Sequence, residues 1–225
     1  MSDTDSTPGP EADHTETGHK ELEGNRAELR RAAFLTAARD VFLEHGYEAA
    51  NMADIVKRAG GSLSTLYAQF GGKRGLFLAM VDKRVGEMTE QMQVALATHA
   101  PLREGLQRIG EHIMSKMIEP DSLDVFRVLV GQARKFPEMS AEYFRLGPDR
   151  IRKALAAYLE DRVAAGEIAI APGKSETAAA VYMDLIRARI HFRALLDVNY
   201  KPGPDEVRET VERAVIVFIG GVGGL

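Results

Sequence analysis

Between Arg26 and Pro101 the apolar residues fall at helical spacing, in four blocks separated by glycines and polar caps. Phe34, Leu35, Ala38, Val41 and Phe42 form one stripe, which predicts a helix ended by His45-Gly46. Asn51 then offers an N-cap, with Asp54 at the third helical position, for a second helix that runs to Ala59 and breaks at Gly60-Gly61. Ser62 caps a very short third helix ending near Phe70. Gly71-Gly72 separate it from a long fourth helix with Phe77, Met80, Val81, Val85, Met88, Met92 and Leu96 on one side, stopped before Pro101. A helix as short as the third is marginal alone, because nucleation is costly, so its neighbour must hold it in place.

The helical pattern continues to the end of the chain. Leu102 to Ile118 is one segment, Asp149 to Ala165 another closed by Gly166, and Ser175 caps a helix to about Asn199. Pro202 and Pro204 lead into a last helix from Asp205 to about Ile219. No stretch shows sustained strand alternation, so the predicted class is all-α with about nine helices. Residues 1–25 carry almost no apolar side chains and predict a disordered acidic leader.

Two short helices joined by a glycine-containing turn predict a helix-turn-helix, whose second helix can enter the DNA major groove. On the third helix, Leu66 and Phe70 lie four apart and would pack inward on Ile55 and Val56. Leu63, Ser64, Tyr67 and Ala68 fall on the other face, with Thr65 and Gln69 at its borders. Ser64, Thr65 and Gln69 can hydrogen-bond to phosphates or base edges, and Leu63 and Ala68 can touch a thymine methyl. Tyr67 offers a hydroxyl to a phosphate. Lys73 and Asn51, each at a helix start, have the same opportunity.

The net charge of -4 opposes this reading only until its distribution is considered. Residues 1–25 hold seven acids and one base, whereas residues 26–75 hold eight bases and five acids. Phosphate binding depends on the local field within ~8–10 Å, so the acidic average does not exclude a DNA-binding module. Zero cysteines rule out disulfides and thiolate metal sites and fit a reducing cytoplasm. No run of about 18 apolar residues indicates a membrane span. His112 and His191 lie in different helices without a ligand-spaced partner, so neither a metal nor another cofactor is expected.

The set Arg31 to Phe42, Gly46-Tyr47, Ile55, Ala59-Gly60, Ser62, Thr65-Leu66-Tyr67, Phe70, Lys73 and Leu76 resembles the N-terminal domain of TetR-family transcriptional regulators. Gly61 departs from the family pattern, which usually has a small β-branched residue packing the turn. Leu129 to Pro137, Tyr158-Leu159 and Ala165-Gly166-Glu167-Ile168 are similar to the AefR-like C-terminal subgroup.

The resemblance implies a homodimeric, ligand-responsive regulator, most often a repressor, that binds a palindromic operator and is released by a small apolar or aromatic inducer. It divides the chain into a leader (1–25), a helix-turn-helix domain (26–75) and a ligand-binding and dimerisation domain (76–225). Candidate inducer contacts are Met88, Met92, His112, Met114, Met117, Phe126, Val130, Phe144, Tyr158 and Met183, since methionine suits adaptable apolar sites. In the family the last two long helices pair with their symmetry mates. That implies an interface of Ala178, Val181, Tyr182, Leu185, Ile186, Val211, Ala214, Val215 and Phe218, unless these are ordinary intrachain core. The rival classes are an enzyme on a helical scaffold and a helical module without DNA binding. No GxSxG, P-loop or Rossmann fingerprint supports the enzyme, and only Gly61 hints at the module.

Overall fold

The computed structural model describes residues 14–96 and 100–221, with side chains over 24–90 and 100–221. The helices in chain order are α1 (His14–Ala49), α2 (Met52–Ala59), α3 (Leu63–Phe70), α4 (Lys73–Leu96), α5 (Leu102–Met117) and α6 (Pro120–Gln132), then α7 (Pro137–Leu146), α8 (Pro148–Ala164), α9 (Ser175–Arg187), α10 (Ile190–Leu196) and α11 (Pro204–Gly221). No strand occurs among the described residues. The all-α expectation of about nine helices is close, because α9 and α10 are one helix interrupted at Ala188-Arg189. Both residues at the break keep right-handed helical dihedrals.

Residues 1–13 of the expected leader lie outside the described residues. From His14 the backbone is already helical, well before the apolar pattern begins at Arg26. Extending a nucleated helix adds one hydrogen bond per residue fixed, so a helix can outrun the pattern that anchors it. At the other end, Gly46 (φ 74°) breaks the regular helix where the pattern predicted.

The first core is built on the predicted stripe. Phe34, Leu35, Ala38, Val41 and Phe42 of α1 are buried, as are Phe77, Val81 and Val85 of α4. Phe42, Tyr47 and Phe77 form a ring cluster with centroids 5.6–5.9 Å apart, and Phe136 joins it through Tyr47 at 5.9 Å. Each buried ring contributes on the order of 1.5–3 kcal/mol. The cluster ties α1 and α4 to the turn between α6 and α7. Because α4 packs on both α1 and α5, it belongs to both units and spans the predicted boundary at residue 75.

The second core lies between α5, α9 and α11. Tyr182 is wholly buried, its ring 5.3 Å from Phe218, and its hydroxyl donates to the Leu106 carbonyl (2.6 Å). This corrects most of the expected dimer face. Ala178, Tyr182, Ile186, Val211, Ala214, Val215 and Phe218 are buried inside a single protomer, so a second copy cannot reach them. The physical reason is that α5 and α9 pack on α11, and α8 and α11 pack on α9, within the same protomer. Val181 and Leu185 alone of that set remain partly open. The exposed apolar residues here are instead Phe192, Leu196, Val198, Ile216 and Val217.

Candidate nucleic-acid interface and ligand cavity

Local chemistry sets the two short helices. The Asn51 side chain accepts from the Ala53 amide (2.9 Å) and starts α2, which buries Met52 and Ile55. The Ser62 hydroxyl accepts from the Thr65 amide (3.1 Å) and lies 2.8 Å from both the Ser64 and Thr65 hydroxyls. Gly71, in the left-handed conformation, returns its amide to the Tyr67 carbonyl and closes α3. Leu66 and Phe70 point inward, and the Phe70 ring meets Phe34 edge-on at 6.2 Å.

This leaves Leu63, Ser64, Tyr67 and Ala68 together on the open face of α3, with Tyr67 51% exposed. Thr65 and Gln69 are half-buried at its borders, and Asn51 is exposed at the start of α2. The Gln69 Oε1 is sealed without a hydrogen-bond partner among the described residues. Ser64 and Thr65 share their hydroxyls with the cap, so their capacity for a nucleic-acid contact is partly spent within the helix.

Lys73 sits differently from the phosphate contact expected of it. Its ammonium donates to the carbonyls of Tyr47 (3.0 Å) and Glu48 (2.9 Å) and lies over the Tyr47 ring, tethering the start of α4 to the end of α1. Burial there holds its pKa below the usual lysine value, against the opposing pull of Glu48. Those orphan carbonyls at the end of α1 attract a cation strongly. Two of the three ammonium donors are thereby committed.

Arg58 is likewise engaged, bidentate to Glu44 (2.6 and 2.5 Å), and Arg74 pairs with Glu138 (3.1 Å). Lys57, exposed in the last turn of α2, has no partner among the described residues. It is a free cation beside the α2–α3 turn that the pattern of α3 gave no reason to single out.

The turn itself explains Gly61. It holds φ 140°, and a Cβ there would meet the tip of the Phe34 ring at 3.0 Å. Phe34 therefore fills the space that a turn side chain would occupy. Gly61→Val, toward the family's usual residue, is expected to lower stability by about 1–3 kcal/mol, since a non-glycine residue is strained at such a φ. Urea unfolding measures this, and unchanged stability would mean the turn leaves φ 140° without cost.

Above the helix-turn-helix lies a cavity of about 400 Å³, within the usual range for small-molecule sites. Of the expected contacts, Met88, Met117, Phe126, Phe144 and Met183 line it. Met114 and Tyr158 are buried in the core away from it, and His112 lies outside its wall beside the Met88 backbone. Val130 is 60% exposed on α6. The side chain of Met92 lies outside the described residues.

The cavity also recruits residues that were not among the expected contacts. Leu35, Thr36 and Arg39 come from α1, Arg84 from α4, Tyr143 from α7, Arg187 from α9 and His191 from α10. Arg39 pairs with Asp121 of α6 (3.3 Å), so the α1 and α6 sides of the cavity are joined directly. His191 is 8% exposed, its ring edge-on to Phe126 at 5.5 Å. Burial, helped by the Arg187 charge, pushes its pKa down to about 4, so it is neutral near pH 7.

Residues 34–80 match the model for bacterial regulatory proteins of the tetR family, and residues 104–221 match that of the AefR-like transcriptional repressor C-terminal domain. The chain is 38% identical over 101 residues to the transcriptional activator FasR of Mycolicibacterium smegmatis, covering 44% of this chain and 46% of that protein. It is 36% identical over 77 residues to the transcriptional repressor ComR of Escherichia coli, covering 34% and 37%. These matches thus span less than half the length of either relative. A TetR-family regulator from Mesorhizobium loti shares the fold, with a TM-score of 0.77 at 19% identity over 87% of this chain and 97% of that one.

Proposed function

The chain belongs to the TetR family of transcriptional regulators, with a C-terminal domain of the AefR-like type, and from that premise we propose that it is a homodimeric repressor released from its operator by a small apolar or aromatic effector. The observation that carries this reading is the open face of α3 (Leu63, Ser64, Tyr67 and Ala68), held by two caps and joined through α4 to an apolar cavity. In this reading α3 enters the major groove, Lys57 and Asn51 approach the flanking phosphates, and Thr65 and Gln69 border the base-reading face. Lys73 acts mainly by fixing α4 against α1. The protein works in the cytoplasm as a DNA-binding regulator rather than an enzyme, and no helix among the described residues is long and apolar enough to cross a membrane.

Two copies are needed to read two half-sites one helical turn, ~34 Å, or a multiple apart. Phe192, Leu196, Ile216 and Val217, with the partly open Val181 and Leu185, supply the apolar surface for that pairing. Effector binding would act through the contacts that tie α1 and α4 to α6 and α7. Arg39–Asp121 (3.3 Å), Glu48–Lys135 (2.8 Å) and Arg74–Glu138 (3.1 Å) join α1 and α4 to α6 and α7. Each exposed pair stabilises by no more than about 1 kcal/mol, so a modest shift can exchange them. The effector must prefer the DNA-incompetent arrangement for release to follow.

Sequencing of genomic fragments retained by the folded dimer tests the reading. A short palindrome is expected to be enriched, and no enrichment at all would sink it. A reporter driven from the enriched site should be silenced by the protein and restored by effector. Increased transcription would instead make it an activator, as FasR is named.

A further inference from the structure

One end of the cavity holds more hydrogen-bonding capacity than the chain uses. Neither ring nitrogen of His191 has a partner among the described residues, although the residue is more than nine-tenths buried. Tyr143 is half-buried beside Phe126, ring centroids 5.8 Å apart, and its hydroxyl also makes no hydrogen bond among the described residues. The field of Arg187 acts on both groups. The guanidinium's own ion partner is Asp184, distant at 4.0 Å and 78% exposed, so solvent screens the pair.

Donors that face a largely apolar cavity without a partner favour a guest that pairs with them: His191 and the Tyr143 hydroxyl make no hydrogen bond among the described residues, and Arg187 has only the long, screened contact to Asp184. A permanent cation, a neutral imidazole N–H and a phenol can all donate. The two carboxylates in the cavity wall, Glu87 and Asp121, already face Lys83 (3.9 Å) and Arg39 (3.3 Å). The guest group therefore needs to accept hydrogen bonds and carry negative charge, and the guest body must be apolar to lie along Phe126, Phe144 and Met183.

We propose that Arg187, His191 and Tyr143 receive the carboxylate of an apolar carboxylic acid. This rests on the reading of the cavity as the effector site and adds the chemistry of the effector's head. The arrangement is a charge-assisted contact to Arg187 with two neutral donors fixing the direction of approach. It also sits beside the interrupted α9–α10 helix, so an occupied head site would brace the break at Ala188-Arg189.

Calorimetric titration of the full chain with decanoate and with 2-naphthoate, each beside its neutral amide, tests the proposal and separates alkyl from aryl bodies. At least one acid is expected to bind about tenfold or more tighter than its amide, and Arg187→Gln to weaken the acid several-fold more than the amide and so remove most of that difference. His191→Phe is expected to weaken the acid several-fold, with thermal melts confirming that both variants fold. Equal binding of acid and amide, an unaltered acid affinity in Arg187→Gln, or no acid binding at millimolar concentration would each overturn the head-site assignment. Operator enrichment is scored separately. A protein that retains its palindrome but ignores the acids loses only this proposal, whereas one that binds the acids but no operator loses only the regulatory reading.

Discussion

Replacing Gly110 by valine is expected to lower the stability of the chain by about 3 kcal/mol or more, a large fraction of what a domain possesses. Gly110 is buried in the middle of α5. A Cβ there would lie far inside contact distance of the Tyr182 hydroxyl and 2.5 Å from Val211 Cγ1. Neither can retreat: Tyr182 is fully buried with its hydroxyl bound to the Leu106 carbonyl, and Val211 is branched and 0% exposed. Leu106 and Gly110 are one turn apart on the same face of α5. The tyrosine oxygen occupies the space a side chain at 110 would need.

Smaller changes separate crowding from helix propensity. A helix-interior glycine costs about 1 kcal/mol relative to alanine, so alanine should help wherever there is room. At Gly131 of α6, with nothing within 4 Å, Gly131→Ala is expected to stabilise by up to ~1 kcal/mol. Gly110→Ala should instead destabilise by about 1–2 kcal/mol, because overpacking outweighs the propensity gain. Tyr182→Phe removes the hydroxyl and should soften the effect of Gly110→Ala, a coupling of roughly 0.5 kcal/mol or more. Strictly additive losses in urea unfolding would show that the hydroxyl is not what excludes the methyl group.

The elements were most legible where a local rule decides them. Asn51 and Ser62 cap α2 and α3 because their side chains reach amides two or three residues on, and Gly71 ends α3 by a conformation glycine readily adopts. The inward pair Leu66 and Phe70 followed from helical periodicity alone. Periodicity says that a side chain is apolar and on a given face, but not which neighbour claims that face. It therefore found Met88, Met117, Phe126, Phe144 and Met183 in the cavity wall and equally proposed Met114 and Tyr158, which other helices bury.

The same limit explains the interface set. Val211, Ala214, Val215 and Phe218 are buried because α5 and α9 pack on α11, leaving Ile216 and Val217 as the open pair on that helix. Lys73 shows a further limit. Its place at a helix start invites an anion, yet the nearest negative groups in the folded chain are the carbonyls ending α1, twenty-five residues upstream. Arg39, Arg187 and His191 carried no sequence signal toward the cavity, since α1 and the interrupted α9–α10 helix, far apart in sequence, bring them to it.

Changing Tyr67 to glutamate is expected to reduce operator affinity about 100-fold or more while leaving the melting transition nearly in place. Tyr67 is 51% exposed and lies outside both cores, and surface substitutions of that kind usually change stability by no more than about 0.5 kcal/mol. Against DNA the consequence differs, because a carboxylate on the open face of α3 would approach a phosphate or the negative groove. A homodimer carries the change at both half-sites. A loss of only about 1.4 kcal/mol at each compounds to roughly 100-fold for the whole operator. Val130→Glu is the control, placing the same charge at a residue 60% exposed on α6, and should leave operator binding within about twofold. Titration of an enriched palindrome at fixed salt measures both. Equal affinity for the Tyr67→Glu and Val130→Glu proteins, with both folded, would remove this face of α3 from the DNA interface and with it the geometric basis for reading the chain as an operator-binding protein.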